Sequence, residues 1–116
     1  MESINEWLEK FISAWKAHDI ETVLGLFADN IEYWETPFRR LADLDEIKKE
    51  WQIIRNQKDI QIAYDVFSKE GDNYTVRWEL QYNDSNNLRN LKGVYLITLD
   101  SENKCNYFFH CGELNK

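Results

Sequence analysis

The first half of the chain has apolar residues at steps of three and four, which is the spacing of amphipathic helices. Asp19 and Asp43 precede two of these runs, where a short acidic side chain can cap a helix N-terminus. One stretch between them alternates apolar and polar residues until Pro37 ends it, which indicates a short strand. The pattern therefore predicts helices over residues 4–17, 20–28 and 44–54 and a strand over residues 30–35.

The second half of the chain, from Asp59 onward, alternates at a period of two, as strands with one buried face do. Three of its runs exceed the usual strand length of about five or six residues, and long antiparallel strands twist and coil. Gly93 lies inside one run and permits a sharp bend. The predicted strands cover residues 60–66, 74–82, 88–99 and 105–112, separated by turn-forming residues.

Helices followed by a long meander of strands indicate an α+β fold, with the helices in the hollow of a curled sheet. The 116 residues leave room for one domain, which we expect to span residues 1–116. Five Trp, six Tyr and six Phe provide large core side chains. If such side chains line the hollow without filling it, a pocket results.

The last two strands carry apolar residues on both faces. Tyr95 and Ile97 alternate with Leu96, and Phe108 alternates with Phe109. One face must meet the helices, and an exposed apolar face of this kind is a candidate homodimer surface.

The charge of the chain limits its partners. The formal net charge is −7, and no run of Lys or Arg exceeds two residues. Neutralisation of phosphates dominates nucleic-acid binding, so we expect no nucleic-acid partner and no anionic membrane surface. No apolar stretch approaches the length needed to cross a bilayer.

The positions of the two cysteines indicate that the protein functions in a reducing compartment. Cys105 and Cys111 share one predicted strand about 20 Å apart, which is too far for a disulfide. The N-terminal segment MESINEWLEK has no signal-peptide pattern, so a cytoplasmic location is expected. His110 lies on the opposite face of the strand from the cysteines, which predicts no metal site.

The stretch FISAWKAHDIETVLGLFADNIEYWETPF resembles the opening of SnoaL-like proteins in the nuclear-transport-factor-2-like superfamily. Segments at residues 56–60, 77–78 and 104–105 are similar to an uncharacterised bacterial subgroup. The resemblance implies a cone-shaped curved mixed β-sheet wrapped around three N-terminal helices, a cystatin-like/SnoaL-like α+β barrel. It also implies a pocket at the wide end of the cone and frequent homodimers formed through the sheet.

The resemblance does not identify one function, because proteins with this fold have many different functions. Members include ketosteroid isomerases, dehydratases, polyketide cyclases and epoxide hydrolases, alongside proteins that only bind other proteins. Family enzymes of this size work without cofactors, so none is expected. Related chains often end in Phe-Arg-Glu-Trp, whereas Phe108, Phe109, His110 and Cys111 stand here, so His110 replaces a glutamate.

The stretch IEYWETPFRR carries two candidate catalytic residues. Tyr33 and Glu35 share a face of the predicted strand, and Tyr33 could donate a hydrogen bond to a ligand carbonyl. In a partly apolar cleft the pKa of Glu35 would be raised, which suits acid or base catalysis. The alternative is that Tyr33 is a core residue with a satisfied hydroxyl and that Glu35 pairs with Arg39 or Arg40.

His110 is the third candidate catalytic residue. An imidazole beside Phe108 in a cavity could carry a proton, although a single histidine can equally be structural. The tryptophans on the apolar faces could line the pocket, where their N–H groups would orient a ligand by hydrogen bonds. Alternatively, they could only pack the core. The predicted ligand-binding residues are Trp15, Trp34, Phe38, Trp51, Trp78 and Phe108.

Two functions are consistent with these residues. The first is binding of a small, mostly apolar molecule with a carbonyl or hydroxyl, with proton transfer of the isomerase, dehydratase or cyclase type. Glu35 or His110 would be the base, and Tyr33 would stabilise the oxyanion. The second is a non-catalytic dimeric module that sequesters a ligand or contacts a protein.

Overall fold

The computed structural model describes residues 3–115, which form helices packed on one face of a six-stranded sheet. The helices are α1 (Ser3–Lys16), α2 (Ile20–Gly25) and α3 (Leu44–Trp51), and a 3₁₀ helix (Gln52–Asn56) continues α3. The strands are β1 (Phe27–Thr36), β2 (Arg39–Leu41), β3 (Lys58–Glu70), β4 (Asn73–Asp84), β5 (Asn87–Leu99) and β6 (Cys105–Leu114).

Both predicted helix caps are confirmed. The Asp19 carboxylate accepts a hydrogen bond from the Thr22 backbone N–H at 3.2 Å, and Asp43 accepts one from the Glu46 N–H at 3.0 Å. The prediction that α2 extends to residue 28 is wrong, because Phe27 already pairs with Cys105 in the sheet. Non-local strand pairing here overrides local helix propensity.

The sheet is mixed and is not closed. Its strand order is β2-β1-β6-β5-β4-β3, so β2 and β3 form free edges. The strands β3 to β6 form the predicted antiparallel meander. The pairing of β1 with β6 is parallel, and it places Tyr33 directly beside Phe108. This pairing brings the stretch at residues 31–35 to the last strand of the chain.

The core between the helices and the sheet is built from aromatic rings. Trp7 stacks on Phe11 with ring centroids 4.9 Å apart, and Tyr33 stacks on Phe108 at the same separation. The Trp7 Nε1–H donates to the Leu26 carbonyl at 3.0 Å, so this buried donor is satisfied. None of the helices within residues 3–115 is long and apolar enough to span a membrane.

Candidate functional site

A cavity of about 190 Å³ lies between α1, the 3₁₀ helix and the inner face of the sheet. Its lining consists mostly of aromatic and aliphatic side chains, with two carboxyl groups and one imidazole among them. Three predicted catalytic residues and three predicted ligand-binding residues line it: Tyr33, Glu35, His110, Trp15, Trp51 and Phe108.

The parallel pairing of β1 with β6 brings the titratable residues together. Because Tyr33 lies beside Phe108, the next residues on the same face of the two strands are Glu35 and His110. The His110 Nδ1 lies 2.8 Å from the backbone oxygen of Glu35. A carbonyl oxygen can only accept, so Nδ1 carries the proton and Nε2 is the unprotonated nitrogen of the neutral ring.

Glu35 is a largely buried carboxyl with a raised pKa. Burial raises the pKa of its carboxyl from the ordinary value of 4.5 to about 7, and the nearby charge of Glu50 adds to this effect. Arg39 opposes it, but the guanidinium of Arg39 binds Glu50 at 2.8 Å. The alternative that Glu35 forms an ion pair with Arg39 is therefore not what the structure shows.

His110 is held as a neutral ring. Burial lowers the pKa of its imidazole, and the hydrogen bond to the Glu35 carbonyl opposes this shift only in part. The ring also stacks on Trp78, with centroids 5.3 Å apart and planes at 15°. At neutral pH the imidazole can therefore accept a proton at Nε2.

Tyr33 is buried in the core beside the cavity. Its hydroxyl oxygen accepts a hydrogen bond from the Trp51 Nε1–H at 3.0 Å, so the group is a satisfied part of the core. Burial, followed by the charge of Glu35, holds the pKa of Tyr33 well above its ordinary value of 10.0. The hydroxyl therefore keeps its proton, which it can donate to a ligand oxygen.

Gln57 is a cavity residue that the sequence pattern does not reveal. It is only 7% exposed, and its Oε1 accepts a hydrogen bond from the Trp15 Nε1–H at 2.8 Å. Its backbone oxygen accepts a second one from the His18 Nε2–H at 2.7 Å. A polar residue between a helix and a strand has no periodic signal, so only its burial in the structure identifies it.

Three predicted ligand-binding residues lie outside the cavity. Trp34 lies on the opposite face of β1, where its Nε1–H donates to Glu32 at 2.8 Å, because successive side chains of a strand alternate. Phe38 is 98% exposed in the turn between β1 and β2 and does not cover the cavity. Trp78 is buried but lies behind His110.

A larger open groove, of about 1080 Å³, lies along β3 to β6. Its lining is rich in amide and charged side chains, such as Gln61, Glu79, Asn90 and Lys92, and includes none of the predicted site residues. In residues 3–115, no three His, Cys, Asp or Glu side chains come close enough to hold a metal ion. The predicted catalytic residues therefore all line the smaller cavity and not the groove.

The raised pKa of Glu35 makes a prediction about stability. Between pH 4.5 and about 7 the folded chain keeps a proton that the unfolded chain has lost, so stability falls as the pH rises through this range. Glu35→Gln should therefore be about 1–3 kcal/mol more stable than the wild type at pH 8. At pH 4 the two proteins should be nearly equal. Urea unfolding at both pH values checks this, and equal stabilities at pH 8 would contradict the buried position of the carboxyl.

Comparison with known proteins gives a family model and a set of similar structures. Residues 8–104 match the model of the SnoaL-like domain. No functionally curated protein matches the chain. An NTF2-like protein of unknown function from Exiguobacterium is 18% identical with a TM-score of 0.76, and the match covers 92% of this chain and 98% of that one.

Two further structures are similar in fold. The Delta 5-3-ketosteroid isomerase from a Mycobacterium species is 12% identical with a TM-score of 0.80, covering 97% of this chain and 98% of that chain. A computationally designed 17-OHP binder is 11% identical with a TM-score of 0.80, covering 98% of each chain. At these identities the likeness shows the cone-like α+β fold and not a shared activity.

Proposed function

Since the chain belongs to the SnoaL-like domain family, we propose that it binds a small, mostly apolar molecule in the cavity and catalyses a proton transfer on it. One observation carries this proposal: Glu35, whose pKa is about 7, lies in an aromatic cavity with the neutral His110 and the Tyr33 hydroxyl. A base whose pKa lies near the working pH is the most efficient in general acid–base catalysis.

The proposed reaction moves a proton between two carbons of a carbonyl compound. The substrate oxygen accepts a hydrogen bond from the Tyr33 hydroxyl, and the Glu35 carboxylate removes a proton from the carbon beside the carbonyl. The electron pair of that C–H bond moves to the oxygen, and an enolate forms. In a substrate whose carbon–carbon double bond lies one carbon further from the carbonyl, the enolate is conjugated with that bond. Glu35 then returns the proton to the far carbon of the double bond, the double bond moves next to the carbonyl, and the isomerisation is complete. His110 meanwhile holds the Glu35 backbone through its hydrogen bond to the carbonyl oxygen.

The similar structures support this proposal at the level of fold. One of them is a ketosteroid isomerase and another is a designed 17-OHP binder, so this fold accommodates both catalysis and plain binding. The titratable groups in the cavity favour catalysis here.

Deuterium exchange tests the proposal without a known substrate. Cyclohexanone is incubated with the protein in D₂O, and proton NMR follows loss of the protons beside the carbonyl. Exchange faster than the buffer background supports proton abstraction. Binding of cyclohexanone without faster exchange, measured by calorimetry, would instead favour the non-catalytic ligand-binding module. If cyclohexanone neither binds nor exchanges faster than the background, both the catalytic function and the non-catalytic ligand-binding function are contradicted.

We also propose a homodimer that forms through the outer face of the sheet. Trp34, Phe109 and Leu96 lie side by side on three neighbouring strands of this face, and Leu96 is 37% exposed. Burial of such a row against a second copy would remove apolar surface from water.

The dimer is tested by the mass of the protein in solution. Analytical ultracentrifugation of the wild type should give a dimer, and Leu96→Asp should give a monomer because it buries a charge in the interface. Leu88→Asp is the matched control, since Leu88 is exposed on the same strand but outside the row. A monomeric wild type would contradict the proposal.

We propose that the protein functions in a reducing compartment such as the cytoplasm. Cys105 is buried and Cys111 is exposed, and both are free thiols. Burial raises the pKa of the Cys105 thiol, which makes it unreactive. Free thiols of this kind are typical of cytoplasmic proteins and support this location.

A further inference from the structure

We propose that the cavity selects a neutral, single-ring molecule with one carbonyl or hydroxyl oxygen, and that Trp15 and Trp51 set this size limit. The inference rests on the proposed function, because it concerns the ligand of the same cavity. It follows from the volume of the cavity, the fixed position of its walls, its charge and the hydroxyl of Tyr33.

The volume permits one ring. A cavity of 190 Å³ corresponds to roughly six water molecules in the liquid. A cavity of about 150 Å³ is enough to hold benzene, whereas ligand pockets commonly measure about 300–1,000 Å³. A six-membered ring with one or two small substituents therefore fits with little space to spare, and a steroid-sized fused ring system does not fit.

The walls that set this volume are fixed by hydrogen bonds. Trp15 and Trp51 meet edge to face, with ring centroids 5.0 Å apart and planes at 81°. The Trp15 N–H is bound to Gln57 at 2.8 Å, and the Trp51 N–H is bound to the Tyr33 hydroxyl at 3.0 Å. An indole that swung aside to admit a larger ligand would leave a buried donor unpaired. The cavity therefore cannot expand easily around two or more rings.

The charge of the lining excludes anions. Glu35 and Glu50 both line the cavity, and none of its lining residues is a lysine or arginine. Arg39 is already bound to Glu50 at 2.8 Å and is not part of the lining. A carboxylate ligand would lose its hydration and meet two acidic side chains without a cation to bind it. A neutral ligand avoids both costs.

The Tyr33 hydroxyl provides the polar anchor. Its oxygen is bound by the Trp51 N–H, and its own proton remains for a ligand oxygen. The rest of the wall offers aromatic faces, such as Phe11 and Phe108, against which an apolar ring can pack. An apolar ring that carries a carbonyl or hydroxyl oxygen matches this arrangement.

Calorimetry at pH 7 with matched ligands tests the inference. Phenol, naphthol and estradiol share a phenolic hydroxyl and differ in the number of rings. We expect phenol to bind at least about tenfold more tightly than naphthol, because overpacking carries a penalty of this order, and estradiol not to bind. Benzamide and benzoate have nearly the same shape, and we expect the neutral amide to bind at least about tenfold more tightly.

Variants test the part played by the two indoles. Trp51→Phe and Trp15→Phe each remove one ring of the wall, and either should reduce the preference for phenol over naphthol by about tenfold. Trp7→Phe is the matched control, because it also removes a buried indole N–H, which donates to Leu26, but lies outside the lining. The preference for phenol should persist in this control.

Naphthol or estradiol binding as tightly as phenol would overturn the size limit and leave the proposed proton transfer standing. Phenol binding with the expected preference, but without cyclohexanone exchange, would support the size limit and contradict catalysis. No binding by any of the five ligands would overturn the size limit, and the cyclohexanone experiment would then decide the proton transfer by itself.

Discussion

Glu35→Gln is expected to slow deuterium exchange on cyclohexanone by about 10²–10⁴-fold, because an amide keeps the shape of the side chain but cannot accept the proton. The wild-type rate should rise with pH through about 7, where the carboxyl ionises, and level off above it. The variant should lack this rise. Both are measured as the initial exchange rate by NMR across pH 5–9.

Glu50→Gln is the matched control for the pH profile. Glu50 lines the same cavity and raises the pKa of Glu35 through its charge. Its removal also frees Arg39, whose positive charge lowers the same pKa. The rise in rate should therefore shift to lower pH in this variant. A wild-type rate that falls as the pH rises through 7 would show that Glu35 acts as an acid and not as the base.

Gly93→Ala is expected to destabilise the fold by about 3 kcal/mol or more, at the upper end of the penalty for overpacking. A Cβ at this position would overlap the backbone oxygen of Cys111 and lie 2.5 Å from the Trp78 indole. Trp78 is held in turn by stacking on Tyr95 and His110, at 5.4 and 5.3 Å. Neither the Cys111 backbone nor the Trp78 indole can move away without a large loss of packing energy. Urea unfolding, followed by circular dichroism, measures the loss.

Gly25→Ala is the control for this substitution. A Cβ at Gly25 has no neighbour within 4 Å, and the residue lies in α2. Alanine should therefore stabilise the helix there by about 0.5–1 kcal/mol. A loss below about 1 kcal/mol for Gly93→Ala would contradict the packing of Trp78 on the sheet.

Gly93 stands out in the sequence, but the sequence does not show why a glycine is needed at this position. Its place inside a long strand suggests a bend, whereas in the structure it leaves room for the Trp78 indole, together with Gly112. Both glycines lie beside Trp78 only because β4, β5 and β6 pair in this register. Register depends on contacts across strands, which residues within one strand do not reveal.

Local patterns in the sequence determine much of this fold. The caps at Asp19 and Asp43, the helical steps of the first half and the alternation of the last four strands depend on neighbours along the chain, and the structure contains them. The alternation also predicts that Tyr33 and Glu35 share a face of β1, because this follows from strand geometry alone.

Only the tertiary structure decides which face of β1 lines the cavity. The parallel pairing of β1 with β6 turns Tyr33 and Glu35 inward and places Trp34 outside, although the sequence makes all three equally plausible. The same pairing brings His110 to Glu35 across 75 positions of the chain, and burial then raises the pKa of Glu35. Local sequence patterns report spacing along the chain, whereas proximity and desolvation arise only when distant segments pack together.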